Sequence, residues 1–251
     1  MIQGAFAWYD LAVEDLPAAV AFYTAVLGWT AKPMTMEGMD FTMFHAGAVP
    51  VAAVRALGDL PTGAALGWRG FIGVDDVGAM AEQAVAARAV LRHGPVGSAG
   101  RQFAVLDDPQ GARFAVCTRF GEDDAPVMNI TPGHVGWREL ASPDPEAAFS
   151  FYAGLFGWTK DTAMDMGEMG VYQLIAVDGG DGMGAIMPVP PAGKAGWGYY
   201  FATEALDAAM ARVNAAGGQV VHGPHPVPGE VWIAQCVDPQ GAGFSLVGPR
   251  G

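Results

Sequence analysis

Shifting the chain against itself by 129 positions lays WYDLAVEDLPAAVAFYTAVLGWT (Trp8–Thr30) on WRELASPDPEAAFSFYAGLFGWT (Trp137–Thr159). About 11 of these 23 positions are identical, which chance does not produce over such a span. DPQGA recurs at Asp108–Ala112 and Asp238–Ala242, and HGP at His93–Pro95 and His222–Pro224. The chain is therefore read as a tandem duplication of a unit of about 115–120 residues. GEDDAPVMNITPG (Gly121–Gly133) is aperiodic, polar at its start and carries two prolines, so it reads as a linker. The expected organisation is one domain over 1–120, a linker over 121–133 and a second domain over 134–251.

Each half divides again. Half one opens with a strand (AFAWYDLAV), then a helix with Asp15 as N-cap, an apolar stripe of Val20, Tyr23 and Leu27, and a stop at Gly28. Strand-like runs KPMTM, DFTMFHA and VPVAAVRAL follow, and the pattern restarts at WRGFIGV with the helix DVGAMAEQAVAARAV and two more strands. Asp-Pro-x-Gly fits a type I turn, so DPQGA reads as a turn alone, closing the last hairpin of each half. HGP reads as a turn or hydrogen-bonding element. The fold class is α+β, built from four modules.

With 13 Lys and Arg against 26 Asp and Glu, and a net charge of −13, the chain lacks the clustered cations that nucleic acid or an anionic membrane requires. No apolar run reaches the roughly 18 residues of a membrane span. No N-terminal signal pattern is present, and Cys117 and Cys236 have no metal or redox spacing. Two buried free thiols in a cytoplasmic protein are expected.

The repeated D-x-x-x-A-x-x-FY-x-x-x-x-GW and DP-x-G-x-x-F motifs resemble the vicinal oxygen chelate superfamily of glyoxalases, bleomycin-resistance proteins and extradiol dioxygenases. The two-domain bacterial glyoxalase-like proteins are the nearest likeness. The resemblance covers nearly the whole chain. It implies four βαβββ modules, paired into two domains whose curved mixed sheets wrap a pocket. In metal-dependent members, His, Gln or Glu stands on the first and last strands of the modules. Carried over, those positions fall on Trp8 and Trp137, on Ala115 and Ser245, on Trp68 or Arg69 and Trp197 or Gly198, and on Ala53 or Arg55 and Ala185 or Met187. None is a usual ligand for Zn²⁺, Fe²⁺ or Mn²⁺. No metal site and no cofactor are expected. His222 and His225, three apart in a Gly/Pro-rich stretch, offer only a pair without a third ligand.

W-x-[DE]-L at Trp8–Leu11 and Trp137–Leu140 takes the metal's place in this reading. Strand alternation puts Trp8 with Asp10, and Trp137 with Glu139, on one face. The resemblance makes that face the pocket lining, with Trp68 and Trp197 adding an indole from each second module and Tyr199 a hydroxyl. Indoles and a carboxylate favour an aromatic, polycyclic or cationic ligand. The expected function is metal-free binding of such a molecule, in the manner of bleomycin-resistance proteins. The alternative is an enzyme on the same scaffold, a lyase, isomerase or hydroxylase- or dioxygenase-like activity, with Asp10 or Glu139 as general base or with a non-standard metal site. A third reading is an interaction protein whose pockets are filled by its own side chains. A monomer with internal pseudo-symmetry or a homodimer is expected, with a small molecule as partner.

Overall fold

A computed structural model describes residues 3–36, 39–61, 64–98, 100–119, 130–177, 180, 182–191 and 193–251; most of the expected linker, 121–129, lies outside them. Four βαβββ modules follow one another. The first is β1 (Phe6–Val13), α1 (Leu16–Leu27), β2 (Thr30–Met36), β3 (Met39–Ala46) and β4 (Val49–Ala56). The second is β5 (Gly67–Val74), α2 (Val77–Ala86), β6 (Val90–Ser98), β7 (Arg101–Asp107) and β8 (Arg113–Thr118). The third is β9 (Val135–Ser142), α3 (Pro145–Phe156), β10 (Trp158–Asp165), β11 (Val171–Val177) and β12 (Gly182–Pro188). The fourth is β13 (Gly196–Ala202), α4 (Leu206–Ala215), β14 (Gln219–Val227), β15 (Val231–Val237) and β16 (Gly243–Gly248). Two eight-stranded mixed sheets result, in the orders β2-β3-β4-β1-β5-β8-β7-β6 and β10-β11-β12-β9-β13-β16-β15-β14. Within each module the first strand runs parallel to the last, as β1 to β4 and β13 to β16. The chain is thus α+β, as the repeat predicts.

The chain packs as two compact units. One comprises Met1–Trp8, Arg69–Pro126 and Arg138–Gly198; the other comprises Tyr9–Trp68, Val127–Trp137 and Tyr199–Gly251. In the first, Phe114 of β8 meets Phe151, Tyr152 and Phe156 of α3 edge to face, at 6.0, 5.4 and 6.2 Å between ring centres. In the second, Phe244 of β16 meets Phe22 and Tyr23 of α1 at 5.8 and 5.6 Å. Such pairs add to the area they bury because ring edges and faces carry opposite partial charge. A helix of one half therefore packs on the last strand of the other, a pairing that the linear order of the modules does not announce.

Local chemistry sets the helix ends. Asp15 and Asp144 cap α1 and α3, their carboxylates accepting from Ala18 and Ala147 N–H at 2.9 and 3.0 Å. Gly28 ends α1 at φ 71°, a left-handed conformation that suits a residue without Cβ. The buried face of α1 is Ala19, Phe22, Tyr23 and Val26. Of the expected stripe only Tyr23 belongs to it; Val20 and Leu27 are half-buried at its margins. Gln240, in the second DPQGA, reaches back to the start of α1: its Oε1 accepts from the N–H groups of Glu14 and Asp15 at 3.0 and 2.7 Å, and its Nε2 donates to the Asp15 carbonyl at 2.9 Å. The repeated pentapeptide is thus a docking element as well as a turn. HGP, in turn, lies inside β6 and β14 rather than at a reversal of the chain.

Cys117 and Cys236 are buried thiols outside any disulfide, and burial pushes the Cys236 thiol up to about 12. No helix among the described residues is long and apolar enough to cross a membrane.

Candidate functional site

The two W-x-[DE]-L tryptophans occupy matching places. In the first unit, half-buried Trp8 packs with Ala7 and Phe103 against Phe71, Val105, Ala115 and Cys117. Register explains the grouping: Phe71 and Val105 both stand beside Ala115, and Phe103 beside Cys117. In the second unit, Trp137 packs with Val231 and Ile233 against Tyr200, Ala202 and Val247. Here Tyr200 stands beside Ser245, Ala202 beside Val247, and Ile233 beside Val247.

Trp68, Trp197 and Tyr199 do not join these two packing groups. Trp68 is an odd number of residues from Phe71, and Trp197 and Tyr199 from Tyr200, so strand alternation sends them to the opposite side. Trp68 Nε1 donates to the Tyr23 hydroxyl at 2.9 Å, and that hydroxyl donates to Asp238 at 3.0 Å. Trp197 Nε1 donates to the Tyr152 hydroxyl at 3.0 Å, which donates to Asp108 at 3.2 Å. The two aspartates open the two DPQGA turns. Asp108 Oδ1 also accepts from Gln110 and Ala112 N–H at 2.8 and 2.9 Å, and Asp238 Oδ1 from Gln240 and Ala242 N–H at 2.9 Å each. Each unit thus holds a Trp–Tyr–Asp hydrogen-bond chain. Burial pushes the Asp108 carboxyl above its ordinary value, against the pull of its hydrogen bonds. Burial, with the nearby Asp238 charge, holds the Tyr23 hydroxyl well above its ordinary range, so it remains a donor. Tyr199 is fully buried, edge-on to Tyr9 at 5.4 Å. Tyr200 is the tyrosine that reaches the Trp137 face.

The two carboxylates differ. On the first strand Asp10 Oδ2 is bound by Arg55 Nη2 at 2.5 Å, with only 12% and 16% of the two side chains exposed. The pair follows from register: in parallel β1 and β4, Asp10 stands beside Ala53 and Ala12 beside Arg55, so the arginine lies one step along on the same face. In the second half Glu139 stands beside Ala185 and Ala141 beside Met187, so a thioether takes the arginine's place. The repeat alignment also sets buried Arg69 against Gly198. A Cβ at Gly198 would meet nothing closer than the Glu139 carbonyl oxygen at 3.8 Å. Sequence reading names Arg55 only as a residue unfit to bind metal; its tie to Asp10 needed the strand register.

The positions that the resemblance assigns to metal ligands hold indole, methyl, hydroxymethyl, thioether and guanidinium groups. The Asp10 carboxylate next to them is tied to a guanidinium. Among the described residues no group of three His, Cys, Asp or Glu converges. This donor set does not fit the superfamily's divalent ion, which takes imidazole and carboxylate.

Comparison with known proteins agrees with the architecture. Residues 131–246 match the family model described as Glyoxalase/Bleomycin resistance protein/Dioxygenase superfamily, and residues 6–47 match a bleomycin resistance protein-like N-terminal model. CFP32 of Mycobacterium tuberculosis, whose name assigns it to the glyoxylases only provisionally, is 32% identical over 98% of this chain and 95% of its own length. The anthracycline biosynthesis protein DnrV of Streptomyces peucetius is 32% identical over 97% of this chain and 93% of its own. Among solved structures, the 2,3-dioxygenase LapB from Pseudomonas sp. KL28 superposes with a TM-score of 0.67 at 14% identity, covering 99% of this chain and 93% of that one. The Mn(II)-bound glyoxalase from Novosphingobium aromaticivorans gives 0.64 at 17% identity, covering 100% and 83%. With four βαβββ modules, two eight-stranded sheets and full-length relatives at this identity, the chain belongs to the glyoxalase/bleomycin resistance protein/dioxygenase superfamily.

Proposed function

We propose that this protein binds a small aromatic or cationic molecule without the superfamily's metal, and that the second half does the binding through the β9 face that carries Trp137 and Glu139. The observation that carries this reading is the packing of half-buried Trp137 with Val231 and Ile233 against Tyr200, Ala202 and Val247. In half one Arg55 is tied to the Asp10 carboxylate. In half two Met187 stands at the matching position. Trp137 supplies a flat apolar surface with one N–H, half-buried Ile233 extends it, and buried Tyr200 supports it from below. Glu139, two residues along the same strand, supplies a negative charge that would attract a cation or accept from a hydroxyl. Two relatives are named for anthracycline biosynthesis; anthracyclines are flat fused-ring aromatics, the ligand shape such a face suits.

On this reading residues 1–120 and 134–251 are two domains of one cytoplasmic chain, and neither a partner subunit, nucleic acid nor a membrane is required. The test is a titration of intrinsic fluorescence with a panel of polycyclic aromatic and cationic compounds. Binding should quench emission, weaken at least tenfold in Trp137→Ala, and change little in Trp8→Phe. Met187→Arg, which rebuilds in half two the pair seen in half one, should weaken cationic compounds more than neutral ones. If Trp137→Ala binds as the parent does, the reading is wrong. Turnover of a bound compound that Glu139→Gln abolishes while binding persists would replace it with the enzymatic alternative.

A further inference from the structure

The β14–β15 hairpin carries a pair of histidines that the proposed function does not use. The imidazoles of His222 and His225 lie 4.3 Å apart between ring centres, tilted by 46°. Three residues apart on a regular strand they would point to opposite faces. The register prevents this: His222 pairs with Gln235 and His225 with Ile233, so a step of three on β14 matches a step of two on β15, and the ladder shifts between them. The extra residue resets the alternation and brings both rings to one face. That face continues through Gln235 to Ser245 and through Ile233 to Val247. Both histidines are exposed. In the matching hairpin of half one the register is the same, but the residues are His93 beside Val105 and Val96 beside Phe103, so a single imidazole remains.

We propose that His222 and His225 form a two-imidazole chelating site for a divalent transition-metal ion of the copper or nickel type, with the Gln235 side chain as an oxygen donor from the adjacent strand. The spacing suits such an ion. Two imidazoles in neighbouring positions of a square-planar or octahedral centre, with metal–nitrogen bonds of about 2 Å, place their ring centres about 4.5 Å apart. Neutral imidazole is a preferred ligand for copper, nickel and zinc, and the remaining positions stay open to solvent or to an oxygen of a bound molecule. The register, rather than the sequence spacing, builds this site, since two histidines in a Gly/Pro-rich stretch carry no chelate geometry by themselves.

The experiment is calorimetric titration of the full-length, metal-stripped protein with Cu²⁺ and with Ni²⁺ alone, joined to electron paramagnetic resonance of the Cu²⁺ form. One equivalent should bind, Cu²⁺ more tightly than Ni²⁺, with hyperfine structure from two nitrogens. His222→Asn and His225→Asn should each weaken binding at least tenfold; His93→Asn should leave it unchanged. The histidines are exposed, so these variants should fold, and thermal melts check that they do. Absence of Cu²⁺ and Ni²⁺ binding, a one-nitrogen signal, or binding that survives both His222→Asn and His225→Asn overturns the proposal.

Discussion

Gln110 holds Asp144 by both edges of its amide: Oε1 accepts the backbone N–H at 2.7 Å, and Nε2 donates to the backbone carbonyl at 2.9 Å. The Ser142 hydroxyl donates to the same Oε1 at 2.8 Å. Asp144 is the N-cap of α3, so the turn before the last strand of the second module fixes the start of a helix in the next half. Gln240 treats Asp15 in the same way.

Gln110→Ala removes these bonds without touching the turn's backbone. It should lower unfolding free energy by about 1–3 kcal/mol, read as a shifted denaturation midpoint at constant slope. Gln110→Glu should not restore stability, because a carboxylate would face the Asp144 carbonyl. An unshifted midpoint in Gln110→Ala would show the clamp to be incidental.

Tyr152→Phe interrupts one interior chain, leaving the Trp197 N–H and one Asp108 oxygen without the hydroxyl between them. A loss of about 1–3 kcal/mol is expected, with a change in tryptophan emission as the indole environment alters. Tyr23→Phe should behave alike in the other unit. A variant as stable as the parent would mean that another group satisfies both ends.

Arg55→Met copies into half one what half two already has. Asp10 then keeps a largely buried charge without its main partner, and removing one member of such a pair costs about 3–5 kcal/mol. The double variant Asp10→Asn/Arg55→Met should recover much of that loss. If the double variant is no more stable than Arg55→Met, the charge is not the cause.

Asp107 supplies a pH test. Burial would raise its carboxyl, but hydrogen bonds and charge from Arg113 and Arg92 hold it below its ordinary value. A carboxyl depressed in the folded state contributes stability above its unfolded pKa, near 3.8, and loses it as pH falls through the folded value. Asp107→Asn should therefore be less stable than the parent at neutral pH, with the gap closing below about pH 4. A gap that stays constant from pH 7 to pH 3 would contradict the assignment.

The repeat, the four modules, the helix caps at Asp15 and Asp144 and the stop at Gly28 were all legible in the sequence. They depend on periodicity and backbone preference within a few residues. The pairing of Trp137 with a carboxylate two residues on was legible for the same reason. The contacts of Trp68, Trp197 and Tyr199 were not: a one-residue change of parity carries a strand side chain from one face to the other, and sequence offers no mark of which face meets which helix. Nor could it show that Asp108 receives Tyr152, that Arg55 answers Asp10, or that a shifted ladder brings His222 beside His225. Those contacts join residues through strand register and through packing between distant modules, and only the folded chain decides them.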